Sequence, residues 1–530
     1  MNERNLNGHT GFVLEKLVLK NHPIFGDKFK INFIEKNDFN TLLKSPYTSL
    51  VIGPNGTGKS LLLKIISDIF LDLYNLKNNL QKVKRHNDNY YKISYFLGGE
   101  YFEISNYDKS TNFSRKRKKF INTVFINNFY IDDFSEIQIP DSLIVSSLLL
   151  TDRFTVYKNS PEFYKYLGVR SLTSPTTART RNYVKRTVEL VVTSLASLDT
   201  EIIYKIKELL TFLEYKHTFK IQYTPKYKDK FFTGNLNNDR FVELFRNYTD
   251  PRKGFSNRKE LKFIPFGVQY FDRHVIDKKG LIGDLVNLLN EIYNSGKLKN
   301  KPNSRTEIFE YDILESELSL DKYELLNHLQ QLDLITFPSI RLQKRNESVD
   351  LEQTSSGEYH IISNLIGIYA SLSQNSLVLL DEPEVSLHPN WQMKYISFLK
   401  NIFKEFASCQ FITSSHSHFF ASDLDGTSSK IVGLKRDEDN NIVIVDLPKE
   451  VDTFGWSTEE VLYSIFNVRS TRNSFFEYDL TKMITMLNRN SNDYQEIKRL
   501  LNKFSVIKLS DNDPLNIIIE KANKYLTKNA

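Results

Sequence analysis

Cysteine occurs once in 530 residues, at Cys409, which excludes an intramolecular disulfide and any cysteine-based zinc cluster. Long apolar runs are missing too. None approaches membrane-spanning length, and the start, MNERNLNGHT, lacks the apolar core of a secretory signal. The chain is therefore expected to be soluble and cytoplasmic, with no membrane partner. Charge of one sign is scarce: 71 Lys and Arg against 64 Asp and Glu leave a surplus of 7. That is too mild to establish nucleic-acid binding by itself. No internal repeat is visible, and no helical pattern is long enough for an extended coiled-coil arm. What is present is core material. Hydrophobic residues make up 40% of the chain, which argues against global disorder, and the length suits about three or four domain-sized units.

The strongest local pattern lies near the amino terminus. Phe12–Leu19 and Phe29–Ile34 look like two strands joined at Asn21-His22-Pro23, and Ser49–Ile52 looks like a third. That strand runs straight into Gly53-Pro54-Asn55-Gly56-Thr57-Gly58-Lys59-Ser60, the phosphate-loop pattern G-x-x-x-x-G-K-[ST]. Leu61, Leu62, Ile65, Ile66 and Ile69 follow at helical spacing. Glycines let consecutive N–H groups converge on phosphate oxygens, and the helix start adds a favourable dipole. Lys59 is expected on the β- and γ-phosphates of ATP and Ser60 on Mg²⁺.

Residues 90–130 alternate aromatic and polar residues, as antiparallel strands do, and Ser142–Leu150 suits another core strand. The basic run Arg115–Lys119 reads equally as a solvated hairpin tip or a nucleic-acid contact. From 156 to 338 the patterns turn mainly helical, and Arg170, Arg179, Arg181, Lys185 and Arg186 cluster ahead of the first amphipathic stripe, Val184 to Leu198. The apolar stripes there are expected to be core faces. The tail from 451 also reads as helical, with Ser457 and Glu460 as a capping box and Asp513-Pro514 opening the last helix.

Thr354 to Pro389 carries the densest chemistry. Small polar residues, Thr354-Ser355-Ser356-Gly357-Glu358, open a helical pattern, and Leu377–Leu380 then suits a buried parallel strand. Asp381 and Glu382 sit at its carboxyl end, followed by Pro383 and Glu384. Acids there cost desolvation energy unless a cation or hydrogen bonds compensate. His388-Pro389 starts another helix, and Cys409–Thr413 reads as a strand ending at Ser414-Ser415-His416-Ser417.

This order of phosphate loop, insertion, TSSGE, acidic strand end and histidine strand end resembles the ATP-binding-cassette ATPases over about half the chain, mainly 12–155 and 340–435. The resemblance implies an α/β, ABC-type P-loop nucleotide-binding domain split by a mainly helical insertion, with a helical C-terminal region. The expected units are 1–155, 156–338, 339–450 and 451–530. Asp381 would orient Mg²⁺, Glu382 would be the general base and His416, rather than His418, the switch histidine. Ser355, Ser356, Gly357 and Glu358 would be the signature that meets the partner's ATP, with Ser356 where many members have glycine. Two ATP molecules would then be sandwiched in a homodimer or higher assembly, and Ser386-Leu387-His388 would communicate between the sites. For the glutamine-containing loop, Gln138 and the segment after Val145 both remain candidates.

DEPEVSLHP with TSSHS looks like the branch holding overcoming-lysogenization-type and phage-defence ATPases. Relatives there carry a Toprim nuclease, but no convincing D-x-D strand end follows His416; Asp423-Leu424-Asp425 reads as loop. No cluster resembles an HNH nuclease either. Tyr166-Leu167-Gly168-Val169-Arg170 and Phe454-Gly455-Trp456-Ser457 resemble the Septu-type ATPases, the PtuA family. That likeness implies a separate HNH nuclease of the PtuB type and, in retron operons, a reverse transcriptase with its RNA–DNA hybrid. Arg115–Lys119 and the Arg170–Arg186 region would be its natural nucleic-acid contacts. The competing expectations are a DNA-repair or recombination clamp and an ATP-stapled scaffold with little turnover.

Overall fold

The structure is a computed structural model. It describes residues 11–529 apart from 35–44, 81–84, 109–119, 150, 158–159, 169, 171–199 (save Val188 and Val192), 250–278, 302–303, 337, 422–423, 425–427, 439, 446–472, 490–491 and 507–514. Two compact units divide the chain, Met1–Trp456 and Ser457–Ala530.

The first unit starts with β1 (Val13–His22) and β2 (Gly26–Asn32), an antiparallel pair. Their turn is closed by His22, whose Nδ1 accepts the N–H groups of Ile24 and Phe25 at 3.1 Å. Then come β3 (Tyr47–Ile52), buried throughout, and α1 (Lys59–Lys77). Next are β4 (Tyr90–Leu97), β5 (Glu100–Ser105), β6 (Thr123–Ile126) and β7 (Phe129–Ile131). They join the first pair in one antiparallel sheet, ordered β2-β1-β4-β5-β6-β7. Leu17, Leu19, Phe29, Ile31, Ile93 and Phe102 line its inner face and pack with Leu62, Ile66 and Phe70 of α1. The alternation in these strands is the ordinary consequence of one wet and one dry face.

β8 (Leu143–Ser147) and β9 (Tyr164–Tyr166) are parallel strands of a second sheet. The middle of the unit contributes α2 (Thr200–Phe212), β10 (Phe219–Tyr223), α3 (Lys228–Phe231), α4 (Asn238–Thr249), α5 (Lys279–Asn294), β11 (Lys299–Asn300), β12 (Glu307–Asp312) and α6 (Leu320–Gln331). After it come β13 (Ser339–Lys344), β14 (Glu347–Asp350), α7 (Ser356–Ser371), β15 (Leu377–Asp381), α8 (Pro389–Ile402), β16 (Gln410–Ser415), β17 (Ser429–Arg436) and β18 (Ile442–Val445). The central sheet runs β18-β17-β3-β16-β15-β8-β9, parallel except for β18. This is an α/β, P-loop fold whose phosphate-loop strand lies beside the strand that ends at His416.

Helices hold more of the described insertion than strands do, yet an antiparallel sheet, β11-β12-β10-β13-β14, runs through it. Helical periodicity alone does not disclose it. β9, inside 156–338, completes the central sheet, while β13, outside that span, pairs with β10. Arg115–Lys119, Arg179–Arg186, Asp423, Asp425, the 454–457 motif, Ser457, Glu460, Asp513 and Pro514 lie outside the described residues. The tail unit holds α9 (Ser474–Asn488), α10 (Tyr494–Ser505) and α11 (Leu515–Asn529) around Met483, Leu500, Phe504 and Ala522.

One buried acid on α1 predicts a pH effect. Burial pushes the Asp68 carboxyl up from 3.8 to about 6, while Lys64, which bonds it, pulls the other way. The folded chain therefore holds this proton more tightly than the unfolded chain does. The resulting stability is full below the unfolded value and is lost as pH rises through the folded one. Between about pH 4 and pH 7, wild type should lose about 2 kcal/mol relative to Asp68→Asn. Urea unfolding of both proteins across that range measures it. Parallel curves would refute the assignment.

Candidate active site

The site forms where β3, β15 and β16 end side by side, because register pairs Asp381 with Ser414 and Ser415 with Ile52. Gly53, Thr57 and Lys59 of the loop are buried, Gly58 and Ser60 half-buried, and Pro54, Asn55 and Gly56 form an exposed crest. Gly58 caps α1 with φ +83°, a left-handed conformation that favours glycine, and no side chain caps the helix. The first intrahelical bond is Leu62 N–H to Gly58 O, at 2.8 Å. The leading N–H groups of α1 thus have no partner within the helix, an arrangement suited to an anion.

Lys59 is 3% exposed. Its Nζ donates to the carbonyls of Gly53 (2.7 Å) and Pro54 (3.2 Å), and lies 3.1 Å from His416 Nδ1. Burial lowers its pKa to about 8, against the pull of Glu382, Glu384 and Asp381. On the other side of the ring, His416 Nε2 lies 3.1 Å from Glu382 Oε1. Hydrogen bonding to His416 holds the Glu382 carboxyl below its ordinary range. Three residues from three segments therefore form one chain, Lys59–His416–Glu382. His418 instead lies tilted against Phe419, with ring centroids 4.1 Å apart.

Asp381 is 1% exposed and accepts from Ser414 Oγ at 2.6 Å and Ser147 Oγ at 3.4 Å. Ser60 also bonds it. Burial still raises its pKa, which is the electrostatic condition a cation would relieve. Among the described residues no group of three His, Cys, Asp or Glu could hold a metal. A hard cation held by one carboxylate, a hydroxyl, water and substrate oxygens needs no such group. Glu382 itself stands at φ +49° and Ser386 at φ +68°, uncommon for side chains other than glycine, so the turn after β15 aims its acids under strain.

The Ser355–Glu358 segment lies elsewhere in the same unit, at the start of α7. Ser355 and Ser356 are exposed, Gly357 and Glu358 buried. Ser355 Oγ donates to Glu358 Oε2 at 2.9 Å and accepts the Glu358 N–H at 3.3 Å, and Ser355 N–H returns to Oε2 at 3.1 Å. Lys344 Nζ on β13 completes the network, 2.6 Å from Glu358 Oε1. A Cβ on Gly357 would fall 2.4 Å from Ser386 O, so the start of α7 is packed against the turn that follows the acids.

Several residues here escape the sequence. Glu384 is buried, and its Oε1 accepts Ser415 Oγ (2.7 Å) and His416 N–H (2.6 Å), fixing the histidine's backbone. Arg436, at the end of β17, donates to Gly56 O at 2.7 Å. Nothing local marks either role. Gln138 is exposed and bonds Glu100 at 3.1 Å, whereas the segment after Val145 brings Ser147 to Asp381. The Tyr166–Arg170 motif acts internally: Tyr166 OH donates to Asp152 Oδ2 (2.7 Å), and Arg170 Nε lies 3.3 Å from the same oxygen.

The family model for the AAA ATPase domain matches residues 13–421, spanning the phosphate loop, both acids and His416. The chain belongs to the AAA ATPase domain family. Septu protein PtuA of Bacillus thuringiensis is 30% identical over 107 residues, which is 20% of this chain and 26% of that protein. The match thus spans about a quarter of the length of that relative. Among solved structures, the Smc head domain of Pyrococcus furiosus is 13% identical, with 83% of this chain and 97% of that one covered at a TM-score of 0.33. The SMC head domain of Thermotoga maritima is 12% identical, with 82% and 99% covered at a TM-score of 0.30. Within the AAA family the chain carries an ATPase domain, and no described helix is long and apolar enough to cross a membrane.

Proposed function

We propose that the chain hydrolyses ATP at the Lys59–His416–Glu382 site and acts as the ATPase subunit of a bacterial antiphage system. The carrying observation is that chain of contacts, 3.1 Å on each side of His416. Lys59 would leave its loop carbonyls for the β- and γ-phosphates, drawn by charge-assisted bonds. Glu382, kept ionised by His416, would accept the proton of the attacking water, and the imidazole would be freed to face the γ-phosphate. Ser60 and Asp381 fit Mg²⁺, which supplies charge neutralisation on the phosphates when bound. Ser355 and Ser356, exposed at the start of α7, would complete the site of a second protomer, making a two-fold, ATP-sandwiched dimer the working form.

The defence reading is supported by the partial likeness to PtuA. It implies a separate HNH nuclease of the PtuB type held by the ATPase, and in a retron setting a reverse transcriptase with its RNA–DNA hybrid. Co-expression with the nuclease of the neighbouring gene tests it. The two should co-purify, and phosphate release by the complex should change when the nuclease is activated. A repair or recombination clamp predicts the opposite pattern: no nuclease bound, and hydrolysis stimulated by DNA alone. A scaffold predicts no turnover in either case.

A further inference from the structure

The six-stranded antiparallel sheet turns one face to the core, and the residues on its other face follow from register. Lys16 pairs with Asn32, Val18 with Lys30 and Lys20 with Lys28 across β1 and β2. On the opposite side of β1, Val18 pairs with Lys92 and Lys16 with Ser94. Since residues two apart share a face, Lys16, Lys20, Lys28, Lys30 and Lys92 all stand on the outer side. They fall on three adjacent strands about 4.8 Å apart, with about 7 Å between alternate positions along each strand. Lys28 and Lys30 are exposed, and Lys16, Lys20 and Lys92 half-exposed.

The acids on this face are few. Glu103, opposite Ser94, pairs with Lys92 at 2.5 Å, and Glu15, at the bulge in β1, accepts from Tyr101 OH at 2.9 Å. Among the described residues no carboxylate comes within ion-pairing distance of Lys16, Lys20, Lys28 or Lys30. Burial lowers the Lys16 pKa, Glu15 and Glu103 favour its charge, and Lys30 and Lys92 disfavour it, so the lysines crowd one another with only partial compensation. Such crowding costs free energy in the isolated chain and returns it when a polyanion arrives. Lysine ammonium groups act as point charges, so the face suits backbone phosphates rather than base edges.

We propose that the outer face of this sheet, through Lys16, Lys20, Lys28, Lys30 and Lys92, binds the phosphate backbone of duplex nucleic acid without reading its sequence. None of these lysines belongs to the Lys59–His416–Glu382 site, and the proposal does not depend on the defence reading. The test uses the full chain, a fluorescent DNA duplex of about 30 base pairs and a salt series around 0.1 M. Lys20→Ala/Lys28→Ala/Lys30→Ala should bind roughly tenfold or more weakly, and its slope of log affinity against log salt should fall by about three. Lys498→Ala/Lys521→Ala/Lys524→Ala, which removes equal charge from exposed positions of the tail unit, should bind as wild type does. If the sheet variant misfolds, acetylation of wild type decides: bound duplex should protect Lys16, Lys20, Lys28 and Lys30. The proposal is overturned by unchanged binding in a sheet variant that melts normally, by an equal loss in the tail variant, or by absent protection. Binding to phosphatidylserine vesicles but not to duplex overturns it as well.

Discussion

Glu382→Gln should leave ATP binding intact and slow phosphate release by about 100- to 10,000-fold, the range a positioned general base contributes. The amide keeps the length of the side chain and can still meet His416 Nε2, now at 3.1 Å from the carboxylate. It cannot take a proton from water. Burial, the strained backbone at φ +49° and the hydrogen bond from Glu382 N–H to Ser414 O at 3.0 Å would all be retained. The variant should therefore accumulate the ATP-bound dimer, visible as a nucleotide-dependent shift in size-exclusion chromatography. Turnover at the wild-type rate would remove Glu382 from the reaction. Loss of ATP binding together with turnover would instead make it a positioning residue for Lys59 and His416.

The second large effect distinguishes a site within one chain from a site shared by two. Lys59→Ala removes the cation from the phosphate loop, and Ser355→Arg blocks the exposed start of α7. If the signature serves the partner's nucleotide, each homodimer has no intact site. A mixed dimer has one: the phosphate loop of the Ser355→Arg chain faces the unaltered Ser355 of the Lys59→Ala chain. Random pairing makes half of the dimers mixed, so an equimolar mixture should recover about a quarter of the wild-type rate. A mixture as inactive as its components would mean that the two motifs do not meet across an interface.

Local chemistry was the legible part of this chain. The phosphate loop is eight consecutive residues between a strand and a helix, and the acids sit at the end of an unbroken apolar run, so both can be read without knowing what lies beside them. Pairings between distant segments could not be read. Phe219 finds Leu342 and Tyr223 finds Phe309 only in three dimensions, and short strands inside helical stretches carry little period-two signal. Lys344 reaches Glu358 for the same reason. The lysine face is an intermediate case. Lys16-x-Val18-x-Lys20 and Lys28-x-Lys30 show the period, but only the β1–β2 register brings the two rows onto one surface. Glu384 was visible as a third acid, and its grip on the His416 N–H needed the β15–β16 pairing.

Ser356 stands where many of the ATP-binding-cassette ATPases that the chain resembles have glycine, and the packing around it says where that difference would be felt. Gly357, beside it, lies against Ser386 O, where a Cβ would come within 2.4 Å of this chain's own backbone. Ser356 is exposed. Within a single protomer its hydroxymethyl group displaces nothing. In the proposed sandwiched dimer it would occupy clearance between the two chains, and a spacing tolerant of that extra group would separate this protein from ATPases with glycine at that position. Cross-assembly with such an ATPase would then be limited by fit at one side chain, a barrier to mispairing that costs the lone chain no stability.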